Sequence, residues 1–219
     1  MHGTVQNLIK IKNKIKLNLS GLKINNLPKI IAVSKTFKID KILPLIDYGH
    51  IDFGENKVQE AIDKWTEVKL KNSNIKLHMI GKLQTNKVKF AVKLFDFIHS
   101  VDSEKLAKKI ADEQFKINKR IKIFIQVNIG EEDQKSGINK NELNDFVSYC
   151  KKINLDVIGL MCIPPINSNS SDYFQEMKLL NNNFLYKELS MGMSSDYLDA
   201  SKNSATYLRI GSNIFGERF

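Results

Sequence analysis

The sequence predicts a single (β/α)8 TIM barrel, an α/β fold in which eight parallel strands alternate with helices. Short apolar runs alternate with amphipathic stretches along the chain, and this order is typical of a parallel sheet. The length of 219 residues lies near the lower limit for such barrels, about 200 residues. A doubly wound open sheet is the alternative, but no glycine-rich fingerprint follows the first apolar run. No linker divides the chain, so we expect one domain over residues 1–219.

Eight apolar runs are the predicted strands, because each is short and is bounded by polar or glycine-containing segments. In chain order they are residues 30–33, 51–53, 75–80, 97–98, 121–127, 157–161, 188–190 and 207–210. Their regular recurrence predicts that each strand is followed by a crossover helix.

Six stretches have the apolar spacing of amphipathic helices. They are residues 5–19, 56–70, 84–94, 103–115, 140–151 and 171–186. In the fourth stretch, Ser103 is the expected N-cap. Its apolar residues share one predicted face: Leu106, Ala107, Ile110, Ala111 and Phe115. The stretch 5–19 precedes the first strand, and we expect an extra N-terminal helix that covers the barrel floor.

The charge and the cysteine content limit the class of protein. The formal net charge is +10, but the basic residues are lysines spread over the chain, apart from Arg120, Arg209 and Arg218. No long run of like charges and no interleaved aromatic surface are present, so nucleic-acid binding is not expected. The sequence has no apolar run of membrane-spanning length, no secretory signal and no disulfide framework. We therefore expect a cytoplasmic protein.

Polar and glycine-containing clusters follow the predicted strands. In a barrel these positions meet at one rim, where binding and catalysis occur. The clusters are SKTF at 34–37, FGENK at 53–57, IGKLQTNK at 80–87, NIGEEDQKSG at 128–137, LMCIPP at 160–165, LSMGMSSD at 189–196 and RIGSNIFGER at 209–218. Their position along the chain predicts a functional site at this rim.

The last two clusters predict a phosphate site. Barrels often hold phosphate with the loops after strands seven and eight and with backbone N–H groups at the start of a short helix. Residues 191–195 follow the seventh strand, and Gly211 and Ser212 follow the eighth. Small residues let a phosphate approach the backbone, and Ser194 and Ser212 add hydroxyl donors. The ending of the nucleotide P-loop is missing, so the expected ligand is a phosphorylated small molecule.

Lys35 ends the first predicted strand, in the stretch IIAVSKTF at 30–37. At this position its side chain is expected on the rim, across the barrel mouth from the phosphate site. A desolvated lysine beside other cations becomes nucleophilic toward aldehydes. A rim lysine combined with a phosphate site predicts pyridoxal 5'-phosphate (PLP) held as a Schiff base. The alternative is a lysine that pairs with Glu55.

These clusters together resemble the pyridoxal phosphate homeostasis protein family. The resemblance covers nearly the whole chain, from AVSKT through FGENKVQE, HMIGKLQTNK, VNIGEEDQKSG, GLMCIPP and LSMGMSSD to RIGSNIFGER. It implies a barrel similar to the N-terminal domain of alanine racemase, which is PLP fold type III, with PLP on Lys35. It also implies a role in intracellular PLP (vitamin B6) homeostasis and amino-acid balance, as a carrier or buffer.

The resemblance also implies a set of cofactor-binding residues on the rim. Arg209 would face the pyridine nitrogen, Asn56 would lie beside the ring, and the loops after the last two strands would hold the phosphate. The complete expected set is Lys35, Asn56, Met193, Ser194, Arg209, Gly211 and Ser212. No metal site is expected.

An arginine at the pyridine nitrogen favours a binding protein over an enzyme, because it disfavours protonation of that nitrogen and weakens the cofactor as an electron sink. Racemisation needs acid/base groups on both faces of the ring. In alanine racemase the second group comes from the partner subunit, next to an additional β domain for which this chain leaves no room. The alternative is a low-activity PLP-dependent amino-acid racemase that uses a rim tyrosine such as Tyr173. We expect a monomer that serves PLP-dependent client enzymes.

Several other residues have both a functional and a purely structural interpretation. Lys135, in the DQKSG cluster, either accepts PLP transiently or is an ordinary loop lysine. His78 is expected to be a hydrogen-bonded core or rim residue, with His50 and His99 too scattered to form a site with it. Cys162 is expected to be a small core residue that would be reactive only near the cofactor.

Overall fold

Eight parallel strands form a closed barrel within the part of the chain that the computed structural model describes, residues 1–22, 26–166 and 168–217. The strands are β1 (Lys29–Val33), β2 (Asp52–Glu55), β3 (Lys76–Met79), β4 (Phe97–Val101), β5 (Lys122–Gln126), β6 (Asp156–Met161), β7 (Glu188–Ser190) and β8 (Tyr207–Ile210). Each strand pairs with the next one along the chain, and β1 pairs with β8 to close the ring. The predicted fold class is confirmed. Arg218, at the end of the last rim cluster, lies outside the described residues.

Helices cover the outside of the barrel, as a parallel sheet buried on both faces requires. They are α1 (Gly3–Asn18), α2 (Ile39–Asp47), α3 (Val58–Lys71), α4 (Val88–Leu94), α5 (Glu104–Lys116), α6 (Leu143–Lys152), α7 (Ser170–Asn183), α8 (Tyr197–Lys202) and α9 (Ser212–Phe215). The sequence did not predict α2, which contains Pro44, or the short α8 and α9. None of the helices in the described ranges is long and apolar enough to cross a membrane.

Two apolar layers stabilise the barrel. One lies between the strands and the helices and includes the fully buried Trp65 and Phe174. The other fills the interior of the barrel with Phe97, Phe124 and Tyr207 together with aliphatic residues. The aromatic side chains fill the half of the barrel near the amino ends of the strands, where the interior is closely packed. The half near the carboxyl ends of the strands is left for the site.

The N-terminal helix α1 is present, but it does not cover the barrel floor. It packs against α2, α8 and α9 on the outer wall. The Asn7 side chain donates a hydrogen bond to the carbonyl of Ile214 at 3.0 Å, and the Asn18 side chain donates to the carbonyl of Leu198 at 2.9 Å. Because α9 has only four residues, it cannot cover the wall beside β8 and β1. The helix α1 fills this position in the outer ring.

The helix α5 confirms most of its predicted features. The Ser103 hydroxyl accepts a hydrogen bond from the N–H of Leu106, so it is the N-cap as expected. Leu106 and Ile110 are buried, but Phe115 is 87% exposed, so its place on the apolar face was predicted wrongly. Phe115 lies five residues after Ile110, which places it about 140° around the helix from that buried residue and off the buried face.

Candidate functional site

A cavity of about 780 Å³ opens at the carboxyl ends of the barrel strands. Its walls come from the segments that follow β1, β2, β3, β5, β6, β7 and β8. The cations Lys35, Lys82, Lys135 and Arg209 line it, and the described lining residues include no carboxylate and no tyrosine. A cavity with this charge favours an anionic ligand. Tyr173 is not among those lining residues, so it does not line the cavity as the racemase alternative requires.

The cavity brings together all the residues that were expected to bind the cofactor. Each of the seven lines it: Lys35, Asn56, Met193, Ser194, Arg209, Gly211 and Ser212. Sequence reasoning did not single out Lys82, Gln126, Asn128 or Gln134 as lining residues, although three of them belong to the rim clusters. A rim cluster in the sequence shows which loop reaches the rim, but the folded structure is needed to show which side chains of that loop face the cavity.

Lys35 lies in a strained turn directly after β1. The next residue, Thr36, has a φ angle of +69°, which is unusual for a β-branched residue. The N–H of Thr36 donates to Glu60 Oε1 at 2.5 Å, and Lys64 Nζ donates to the same oxygen and to the carbonyl of Ser34. The helix α3 thus holds the backbone on both sides of Lys35. Burial raises the pKa of Glu60, but the hydrogen bonds from Lys64 and Thr36 outweigh it and lower that pKa below its usual value.

Glu55 lies behind this turn, fully buried at the end of β2. Its Oε1 accepts hydrogen bonds from Ser34 at 2.7 Å, Trp65 at 2.9 Å and Lys64 at 3.0 Å. These contacts make Glu55 the centre of a buried polar cluster that connects β1, β2 and α3. We call Ser34, Glu55, Glu60 and Lys64 the turn clamp.

The two loops of the predicted phosphate site are joined by direct hydrogen bonds. The N–H of Gly211 donates to Ser194 Oγ at 3.3 Å, and Asn213 Nδ2 donates to the carbonyl of Ser194 at 2.9 Å. Ser212 is the first residue of α9, and the first N–H groups of a helix have no partner within the helix. The N–H of Met193 donates to Asp196 Oδ1 at 2.6 Å, which fixes the loop after β7.

Gly192 shapes the loop after β7, and replacing it with alanine is expected to disturb that loop. Its φ angle is +87°, and an added Cβ would lie 2.5 Å from the Cβ of Ala200 and 3.0 Å from Leu208 Cδ2. Gly192→Ala should therefore lower the free energy of unfolding by about 2–3 kcal/mol, from strain and overpacking together. Urea denaturation measures this change.

A matched control for Gly192→Ala is Gly21→Ala. Gly21 has nearly the same φ angle, +86°, but no atom of the described residues lies within 4 Å of an added Cβ. Its substitution should cost only the backbone strain, about 1 kcal/mol. Equal losses in the two variants would contradict the packing argument for Gly192.

Arg209 and Asn56 lie on the remaining walls of the cavity. Arg209 is buried, and its guanidinium donates to Ser190 Oγ and to the carbonyl of Cys162, both at 2.8 Å. Burial lowers the pKa of Arg209, but an arginine side chain stays protonated in proteins. Asn56 Oδ1 is buried and has no hydrogen-bond partner within the described structure. A buried polar atom without a partner is costly, so a ligand that completes its hydrogen bonding would be stabilised here.

The buried histidines correct one expectation from the sequence. His78 and His99 are in contact, with His78 Nδ1 2.9 Å from His99 Nε2, so they are not scattered. His50 is separate, and its Nε2 lies 2.9 Å from the carbonyl of Asp52.

The described residues contain no group of three or more side chains arranged to hold a metal ion. Burial raises the pKa of Cys162 to about 12, so its thiol stays protonated and unreactive near neutral pH.

His50 is expected to make stability depend on pH between about 4 and 6.5. Burial lowers its pKa from 6.5 to about 4 in the folded protein. The unfolded chain therefore binds more protons in this interval, and the free energy of unfolding falls as the pH is lowered from 6.5 towards 4. The loss attributable to His50 is at most about 3 kcal/mol. Urea denaturation at a series of pH values measures it.

His50→Asn should flatten this pH dependence, because it removes the group that titrates. His2→Asn is the matched control, since His2 is an exposed histidine at the start of α1. An unchanged slope in His50→Asn would contradict the assignment to His50.

The comparisons with known proteins agree with this geometry. Residues 11–218 match the family described as alanine racemase, N-terminal domain. The chain is 37% identical to the pyridoxal phosphate homeostasis protein of Aquifex aeolicus, over 88% of each chain. It is 32% identical to the protein of the same name from Escherichia coli, over 100% of this chain and 98% of the relative. The chain belongs to the pyridoxal phosphate homeostasis protein family.

Solved structures give the same barrel. PipY of Synechococcus elongatus with PLP bound is 29% identical to this member of the pyridoxal phosphate homeostasis protein family, with a TM-score of 0.85 over 97% of this chain and 100% of PipY. Alanine racemase of Clostridium difficile is 15% identical, with a TM-score of 0.72 over 99% of this chain and 57% of the racemase. The racemase likeness concerns the fold alone.

Proposed function

We propose that this chain binds PLP, holds it as a Schiff base on Lys35 and serves PLP homeostasis and amino-acid balance as a carrier or buffer. The observation that carries the proposal is the single cavity that contains Lys35, Arg209 and the two joined loops of the phosphate site. Further support comes from PipY, a relative that has been solved with PLP bound, and from the relatives named pyridoxal phosphate homeostasis protein.

The loops after β7 and β8 fit a phosphate group. Ser194 and Ser212 supply hydroxyl groups, and Gly211 allows the ligand to approach the backbone. Ser194 Oγ accepts the N–H of Gly211, so its own proton is available to donate to a phosphate oxygen. The described lining residues include no carboxylate, so no negative side chain among them repels the phosphate dianion.

The opposite walls fit the ring and the aldehyde. Arg209 brings a buried positive charge that cannot accept a proton, so it favours an unprotonated ring nitrogen. Asn56 brings a buried oxygen without a partner and an amide that can bind a polar substituent of the ring. Met193 adds apolar contact area. Bound PLP supplies an aldehyde that condenses with amines, and Lys35 is a primary amine on the cavity wall.

A PLP titration of the wild-type protein tests the proposal. Addition of PLP should produce the visible absorption band of a protonated Schiff base, and borohydride reduction followed by peptide mass spectrometry should locate the pyridoxyl group on Lys35. Pyridoxal without phosphate is the matched probe, and it should bind more weakly because the two loops have nothing to hold. No band with PLP, or a pyridoxyl group on another residue, would contradict the proposal.

A low-activity amino-acid racemase remains the second candidate, because the barrel is that of alanine racemase. Two observations favour the carrier. The described lining residues offer no tyrosine as a second base, and Arg209 disfavours protonation of the ring nitrogen, which weakens the cofactor as an electron sink. Circular dichroism of single L-amino acids incubated with the PLP-loaded protein should show no loss of signal at ordinary enzymatic rates. Rapid turnover that disappears in Lys35→Ala would favour the racemase.

The expected partners belong to the same proposal. A carrier would release PLP to PLP-dependent enzymes in the cytoplasm, act as a monomer and have no affinity for nucleic acid. Transfer can be measured as reactivation of an apo PLP enzyme by the loaded protein, compared with an equal concentration of free PLP. Light scattering during gel filtration measures the oligomeric state.

A further inference from the structure

A continuous row of hydrogen bonds runs through the barrel from the cavity to its opposite end. Arg209 Nη1 donates to Ser190 Oγ at 2.8 Å, and Ser190 Oγ lies 2.9 Å from His99 Nδ1. His99 Nε2 lies 2.9 Å from His78 Nδ1, and His78 Nε2 lies 3.1 Å from Asp52 Oδ1. We call these five residues the relay. Four of them, at positions 52, 78, 99 and 190, have no part in the proposed function.

Because of the chemistry of Arg209 and Asp52 at its two ends, every hydrogen bond of the relay donates in the same direction, from Arg209 towards Asp52. An arginine can only donate hydrogen bonds, and a carboxylate can only accept them. A neutral imidazole donates through one nitrogen and accepts through the other. The bond to Asp52 therefore puts the proton of His78 on Nε2, and the bond between the imidazoles puts the proton of His99 on Nε2. His99 Nδ1 is then an acceptor, and the Ser190 hydroxyl donates to it.

The surroundings keep both imidazoles neutral and fixed in orientation. The ring of His78 stacks on Phe97 with centroids 4.2 Å apart, and the ring of His99 stacks on Phe124 at 4.3 Å. Burial lowers the pKa of both histidines, although the hydrogen bond to Asp52 partly opposes this for His78. The middle of the relay therefore carries dipoles rather than charges.

The relay connects a buried cation with a distant anion. Arg209 has no carboxylate within ion-pair distance in the described ranges, and its two hydrogen bonds go to neutral oxygens. Burial lowers the pKa of Arg209, an effect that the Asp196 carboxylate only partly offsets, and a buried charge is costly unless it is well compensated. Asp52, whose side chain is 13% exposed, lies at the start of β2 at the floor of the barrel. The aligned dipoles of Ser190, His99 and His78 transmit its negative charge towards Arg209.

We propose that Asp52 is a positioning residue for the cofactor site, acting on Arg209 through His78, His99 and Ser190. Its effect on PLP rests on the proposed function, in which Arg209 faces the ring nitrogen. The Asp52 carboxylate at one end of the barrel thereby influences both the affinity for PLP and the absorption of bound PLP at the other end.

The first test begins with the wild-type protein without PLP, so its first result does not depend on the folding of any variant. Nitrogen-15 NMR of the histidine side chains at pH 7 should show both His78 and His99 with a protonated Nε2 and an unprotonated Nδ1. In Asp52→Asn, the signals of His99 should move, although the Asp52 carboxylate contacts His78 and not His99. A protonated Nδ1 on either ring, or unchanged His99 signals in Asp52→Asn, would overturn the relay.

The second test is a double-mutant cycle of Asp52→Asn and Ser190→Ala, read out as the Kd for PLP and the position of the visible band. Asp52→Asn alone should raise the Kd about threefold to tenfold and shift the band. In the Ser190→Ala background, Asp52→Asn should have no further effect, because the relay is already broken. Equal effects in both backgrounds, or no effect in either, would overturn the proposal.

Ser201→Ala is the matched control for Ser190→Ala. Ser201 is a buried serine whose hydroxyl donates to the carbonyl of Leu198, outside the relay. In the Ser201→Ala background, Asp52→Asn should keep its full effect on the Kd. The two tests separate the two proposals: a wild-type protein that does not bind PLP contradicts the proposed function, while the histidine tautomers still decide the relay.

Discussion

Replacing Lys35 with alanine is expected to abolish covalent binding of PLP. The visible band of the Schiff base should be absent, and borohydride reduction should leave no pyridoxyl group on the protein. The phosphate loops and Arg209 remain in the cavity, so PLP should still bind non-covalently, with a Kd raised at least about tenfold, or 1.4 kcal/mol. Absorption spectra and equilibrium dialysis measure the two effects. Lys82→Ala, at another cavity lysine, should keep the band.

Lys135 is the second lysine to test if a visible Schiff-base band remains in Lys35→Ala. Its Nζ forms an ion pair with Glu132 and donates to the carbonyl of Pro164 at 3.3 Å, contacts that suit an ordinary loop lysine. We therefore expect Lys35→Ala and the double variant Lys35→Ala/Lys135→Ala to have the same spectrum. A band in the single variant that disappears in the double variant would show that Lys135 accepts PLP.

Replacing Lys64 with methionine is expected to give the largest loss of stability. Lys64 Nζ is the cation of the turn clamp, with its side chain 9% exposed and 3.0 Å from the fully buried Glu55. Its removal leaves a buried carboxylate without a counter-charge, which typically costs about 3–5 kcal/mol. The same change releases the carbonyl of Ser34 and frees Glu60, so the turn that carries Lys35 loses its support. Urea denaturation and the Kd for PLP measure these effects.

Lys116→Met is the control for Lys64→Met. Lys116 also pairs with a glutamate, Glu113, at 2.8 Å, but its side chain is 61% exposed. An exposed pair of this kind contributes little to stability, because water screens it. Similar losses in the two variants would mean that the turn clamp contributes no more than a surface ion pair.

Local patterns were enough to predict the barrel and most of its parts. The eight strands were predicted from short apolar runs, and the observed bounds differ from the predicted ones mainly at the ends. Ser103 was predicted as an N-cap from its position before an amphipathic stretch, and it is one. Helix α2 was missed because it has only nine residues and Pro44 interrupts the pattern. Phe115 was misplaced because it lies about 140° around the helix from Ile110, beyond the edge of the buried face.

The amino-acid sequence was enough to predict which loops meet at the rim and which of their residues suit phosphate and an aldehyde. The reason is that the direction of a parallel strand and the chemistry of Lys35, Ser194 and Ser212 are local properties. The folded barrel was needed to show that Lys64 clamps the turn of Lys35 and that His78 contacts His99. These contacts join residues far apart in the chain, and they depend on how the closed barrel sets the register between strands.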